Sequence, residues 1–161
     1  MTDYLRTTRE CPFEDVRPEL RDAIAAHVGA EAASSFRGVT AWETTSKKTN
    51  EGVVDWIFTR MAGGDRDPVH WSCSMLVPSR FIFAIHGEKR GTQVFSAMLV
   101  DLQVTSPTFT VATEHGVDVI GLVPVFGHPG PTSYYLGFEK SPIGERCTAA
   151  LREAITRAKT R

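Results

Sequence analysis

Val69-His70-Trp71-Ser72-Cys73-Ser74-Met75-Leu76-Val77-Pro78-Ser79-Arg80-Phe81-Ile82-Phe83-Ala84-Ile85-His86 is the stretch that sets the fold class. Residues 69–77 and 80–86 are each of strand length and rich in β-favouring side chains. Between them Pro78-Ser79 offers a short connection in which the fixed φ of proline suits a turn. The spacing predicts a β-hairpin.

Toward the N-terminus, Gly63-Gly64-Asp65-Arg66-Asp67-Pro68 breaks the pattern before it alternates again over 53–61. There Val54, Trp56 and Phe58 share one face, while Val53, Asp55, Ile57 and Thr59 share the other, as a two-residue period requires. Asn50-Glu51-Gly52 supplies a turn. Residues 36–46 read as a further strand, with Val39, Ala41 and Glu43 alternating against Thr40, Trp42 and Thr44. Behind Arg17-Pro18, the residues Leu20, Ile24, His27, Val28 and Ala32 recur at helical spacing and predict a helix over 18–34. The residues before it read as a polar leader.

Toward the C-terminus, Gly87-Glu88-Lys89-Arg90-Gly91 is a glycine-flanked turn into 92–105, an apolar stretch long enough to need a bend or bulge. Residues 108–113 and 117–126 flank Glu114-His115-Gly116 as a second hairpin, and the loop 127–132 leads to a strand over 133–138. Ser141 suits an N-cap and Pro142 a first helical position. Ile143, Cys147, Ala150, Leu151, Ala154 and Ala158 then form one apolar stripe. Small residues dominate it, so this helix is expected to sit close against a sheet or across the mouth of a barrel.

A chain of 161 residues has room for one core, and its 42% hydrophobic and 23% charged residues describe an ordinary globular domain. Lys and Arg total 18 against 19 for Asp and Glu, so no global field draws the molecule to nucleic acid or to an acidic membrane. No run approaches the length of a membrane span, and the opening residues carry no apolar export segment. Cys11, Cys73 and Cys147 are odd in number and widely spaced, which fits free thiols in a reducing cytoplasm.

Seven strand-like segments from Val53 followed by one C-terminal helix resemble the pleckstrin-homology-like superfold, in particular its small bacterial members. Val77-Pro78-Ser79-Arg80-Phe81-Ile82-Phe83 and Met98-Leu99-Val100-Asp101-Leu102 carry the local likeness. The resemblance implies an α+β, mainly β, single domain over 1–161. Its expected core is a curved, seven- or eight-stranded antiparallel sheet or partly open barrel, closed by the C-terminal amphipathic helix. Residues 53–161 would form this core, and 1–52 an N-terminal extension with an extra helix. A helix-grip ligand-binding fold is the alternative, since it too wraps a curved sheet around a long C-terminal helix.

In membrane-binding relatives of that superfold, basic residues near the first strand connection hold phosphoinositides. Arg66 stands there between Asp65 and Asp67, which compete for its guanidinium. Counting 36–46 as the first strand places Lys47 and Lys48 in the equivalent turn, with Arg60 able to approach. Lys89 and Arg90 form a second basic tip, and Phe126 and His128 open a loop rich in proline and glycine. No Gly-x-Ser-x-Gly elbow, P-loop, His-Glu-x-x-His helix or zinc-ligand spacing is present, so no catalytic residue, metal or cofactor is assigned.

Three functions follow as expectations. The first is a non-enzymatic cytoplasmic interaction module for a protein partner. The second is a helix-grip-type binder of a small molecule or lipid, and the third is weak peripheral membrane contact through the basic turns. A homo-oligomer paired along a strand edge is compatible with each.

Overall fold

The computed structural model describes residues 4–49, 67–107, 115–124 and 132–160. The expected strands over 53–61 and 108–113, together with Arg60, Phe126 and His128, lie outside them. Within the described residues the chain is α+β and mainly antiparallel strand.

The order begins with a strand where a polar leader was expected: β1 (Tyr4–Pro12) pairs with β2 (Thr40–Lys48) from Tyr4↔Lys48 to Pro12↔Thr40. The meander continues through β3 (Val69–Val77), β4 (Arg80–Gly87) and β5 (Gly91–Met98). The Pro78-Ser79 turn closes the β3–β4 hairpin, and Ser79 adopts φ 62° there. A 3-10 turn at Leu99–Asp101 provides the bend expected within 92–105, before the short β6 (Gln103–Thr105). Strand β7 (His115–Pro124) pairs with β6 on one side and β8 (Thr132–Phe138) on the other, and meets β5 at Phe95 and Ser96.

Among the described residues these eight strands form two antiparallel sheets and do not close into a barrel, which supports the expected curved sheet or partly open barrel only in part. Among the described residues no ladder joins β8 back to β1. Reciprocal hydrogen bonds stitch the seam instead: the Thr8 N–H donates to Glu139 Oε2 at 3.1 Å, and the Glu139 N–H donates to Thr8 Oγ1 at 2.9 Å. Edge N–H groups satisfied in this way are poor templates for a further strand.

Helices cover both faces of the β1–β5 sheet. On the outer face, α1 (Pro18–Val28) and α2 (Ala30–Ser34) replace the single helix expected over 18–34, because Gly29 takes φ 89° and interrupts it. Leu20 and Ile24, with Phe13, Val16 and Phe36, pack on Ala41, Cys73, Met75, Ile82, Ala84 and Val94. The inner face carries Trp42, Phe81, Phe83 and Phe95, which meet Val117, Val119, Leu136 and Phe138 of the second sheet. Completing that core is α3 (Pro142–Lys159), through Cys147, Leu151 and Ile155. Double coverage explains why β4 reads as an unbroken apolar run instead of alternating. Each large side chain buried in this way contributes about 1.5–3 kcal/mol.

The start of α3 follows its expected chemistry, with Ser141 Oγ accepting from the Gly144 N–H at 3.4 Å and Pro142 in the first turn. Gly144 is required by closeness, since a Cβ there would collide with the Glu139 carbonyl oxygen. Among the described residues no helix is long and apolar enough to cross a membrane.

A titratable contact helps to seat α1 on the sheet. His27 Nε2 lies 2.9 Å from Ser96 Oγ, which also accepts from Arg80 Nη1 at 3.3 Å. With Arg80 donating to it, the hydroxyl is placed to donate its own proton to a neutral imidazole. Burial first, and then the Arg80 guanidinium, hold His27 below its usual value near 6.5. The unfolded chain therefore takes up this proton first as pH falls. The His27 contribution to stability is fully present well above pH 6.5 and is lost as pH drops through that value toward the lower folded pKa. Urea midpoints across this range should fall for the parent and fall less for His27→Gln; parallel profiles would remove His27 as the cause.

Candidate functional site

Cross-strand pairing sorts the inner face into rows. Glu10, Trp42, Ser74, Phe83 and Phe95 form an aromatic row under the helix-covered core. Toward the other end come Thr8, Thr44, Ser72 and Ile85, and then Arg6, Ser46, His70 and Gly87. The face thus passes from aromatic to small and hydroxylated, and then to charged, along the strands. Small side chains in the middle row leave space, and a cavity of about 360 Å³ opens there between β1–β4 and β8.

Phe83 and Ile85 supply its apolar wall, and Ser46 and Ser72 its narrow polar wall. Tyr134 extends the aromatic side, with its ring centroid 5.3 Å from Phe83 and 4.8 Å from Phe95. At the charged end Arg6, His70 and Arg90 converge with Tyr4 and Tyr135. The Arg6 guanidinium carbon lies 5.1 Å from the Tyr4 ring centroid and 5.7 Å from that of Tyr135, so the side chain runs between two aromatic faces. Tyr4 also meets the His70 ring edge-on at 5.2 Å. Gly137 makes room for this arrangement, because a Cβ there would strike Arg6 Nε.

Arg90 is positioned by a buried carboxylate. Asp67, with no exposed surface, accepts from the Lys89 N–H at 2.7 Å and the Arg90 N–H at 3.2 Å, and pairs with Arg90 Nε at 3.4 Å. It occupies the notch above Gly87, where any Cβ would collide with the carboxylate. Asp67 therefore fixes the β4–β5 turn and the direction from which Arg90 reaches the cavity.

Of the expected binding residues, Arg90 alone among those described lines this cavity. Lys89 sits beside it on the turn but is exposed. Lys47 and Lys48 are the last residues of β2 and not a free turn, since β1 extends the sheet and pairs them with Leu5 and Tyr4. Arg6, His70 and the three tyrosines were missed. The signal for His70 was its two-residue spacing from Ser72 and Ser74, a polar face on an otherwise apolar strand.

Other chemistry is structurally accounted for. Trp42 Nε1 donates to Glu10 Oε2 at 3.1 Å, and Trp71 lies under the Arg17 guanidinium at 3.9 Å on the outer face. Burial pushes the thiols of Cys11, Cys73 and Cys147 up, which suppresses thiolate reactivity. Among the described residues no three His, Cys, Asp or Glu side chains gather to hold a metal ion. The chain matches none of the family models, curated proteins or solved structures with which it was compared.

Proposed function

We propose that this protein binds a small organic molecule in the cavity between β1–β4 and β8. The observation that carries the reading is the cavity itself, at about 360 Å³ and with one apolar and one polar end. Small-molecule sites span about 300–1,000 Å³ and combine apolar walls with a few placed polar groups. The interaction-module alternative rests on the β-rich plan, the balanced charge and the absence of a catalytic motif in the sequence, and has no such feature behind it. A curved antiparallel sheet with a long C-terminal helix on its inner face agrees with the helix-grip plan.

Thermal unfolding against a panel of small amphipathic molecules tests the proposal. A ligand present at about a hundredfold excess over its Kd adds about 2.7 kcal/mol, which in a chain of this size raises Tm by roughly 5–10 °C. Ser72→Phe, which fills the cavity, and Ser133→Trp, which blocks its exposed rim, should abolish that rise while the proteins remain folded. A panel without effect on the parent, or an equal rise in both variants, would remove the cavity as the binding site.

A further inference from the structure

We infer that the cavity ligand is a small uncharged molecule whose hydroxyl or carbonyl oxygen bonds to Ser46 and Ser72 and whose ring-sized apolar body lies against Ile85 and Phe83. This rests on the small-molecule reading above and specifies its chemistry. The two-residue period of β2 and β3 turns Ser46 and Ser72 to the inner face with Trp42 and Ser74, and both serines line the cavity. Ser46 is 2% exposed, and among the described residues neither serine hydroxyl is hydrogen-bonded within the chain. The neighbouring Thr8 and Thr44, by contrast, bond to each other through their Oγ1 atoms at 2.9 Å. Buried hydroxyls are hydrogen-bonded as a rule, so Ser46 takes its partner from what occupies the cavity, and the half-buried Ser72 stands beside it. The charged end is engaged inside the chain: Arg90 by Asp67, Arg6 by the rings of Tyr4 and Tyr135, and His70 by Tyr4. Hydrogen-bonding capacity toward a ligand therefore sits in the middle of the cavity, on two neutral hydroxyls, and an uncharged oxygen suits them.

Register sets the shape of the molecule. Ser46 pairs with His70 and Ser72 with Thr44, so the serines are diagonal neighbours on adjacent strands, with Cα atoms about 7–8 Å apart and Cβ atoms somewhat closer. A ligand oxygen between them reaches both, since each O–H···O bond spans about 2.7–2.8 Å. Serine hydroxyls both donate and accept, so a ligand hydroxyl can accept from one and donate to the other, while a carbonyl can accept from both. Ile85 lies directly opposite Ser72, and Phe83 is the next inward-facing residue of β4. With strands about 4.8 Å apart, these apolar side chains stand roughly 7 Å across the sheet from the oxygen position. One substituted benzene ring, lying across the strands, fills that span.

Calorimetric titration at pH 7.5 with ethylbenzene, acetophenone, 4-ethylphenol and 4-ethylbenzoate tests the assignment, because the four share a ring and differ in oxygen and charge. Acetophenone, 4-ethylphenol or both should bind about tenfold more tightly than ethylbenzene, as two hydrogen bonds of ordinary net strength predict, and the tighter of the two separates a carbonyl from a hydroxyl. Ser46→Ala should bring the tighter probe to within about threefold of ethylbenzene, which itself should bind at least as well as before. Equal affinity of the three neutral probes in the parent protein, or a preference that survives Ser46→Ala, would overturn the oxygen assignment while leaving a small-molecule site. Tighter binding of 4-ethylbenzoate than of either neutral oxygen probe would overturn the uncharged assignment. Binding of none of the four would overturn both readings, and the parent comparison stands even if the variant does not fold.

Discussion

Asp67→Ala should lower stability by about 3 kcal/mol, one of the two largest effects expected of a single substitution in this chain. Its carboxylate has no exposed surface and accepts from two successive backbone N–H groups of the β4–β5 turn. Alanine leaves both donors without that acceptor, at about 1–3 kcal/mol each. Arg90 retains 22% side-chain exposure, so its released charge can turn to water and adds less than a sealed ion would. Asp67→Asn would keep one acceptor and should recover about half of the loss. Urea denaturation with an unchanged m-value checks this, with exposed Lys89→Ala expected within about 0.5 kcal/mol of the parent. If Asp67→Ala were as mild as Lys89→Ala, the turn would not depend on the buried carboxylate.

Leu151→Ala should cost about 2–5 kcal/mol, the usual range for truncating a fully buried leucine. Leu151 is 1% exposed and stands between Cys147 and Ile155 on the stripe that seats α3 against the inner face. Leu20, 0% exposed, plays the same part for α1 on the opposite face. Since the β1–β5 sheet lies between the two cores, Leu20→Ala and Leu151→Ala share no cavity and should add to within about 0.5 kcal/mol. Denaturant midpoints of the two single variants and the double variant measure this. A neutral Leu151→Ala would mean that α3 is not seated there, and strong coupling would mean that the two cores are one.

Much of the scaffold was legible because local chemistry and tertiary packing agree. The 69–86 hairpin carries strand composition on both sides of a turn, and Ser141-Pro142 marks a helix start before its apolar stripe emerges. β1 was not legible. Arg6, Thr8 and Glu10 face one way and Leu5, Thr7 and Arg9 the other, so neither side shows the apolar face by which a strand is recognised. Pairing with β2 makes it a strand. That concealed strand also concealed the site, because Arg6 and Tyr4 meet Tyr135 from the far end of the chain. Arg90 was singled out for its exposed turn, yet what matters is Asp67 beneath it, a contact between a strand entrance and a hairpin tip that spacing does not reveal.

Native mass spectrometry of the protein recovered gently from its own cells tests the central claim most directly. The account predicts one small organic molecule per chain, retained by the parent and lost from Ser72→Phe. A parent chain that carries nothing and gains no mass with any member of the amphipathic panel would contradict it.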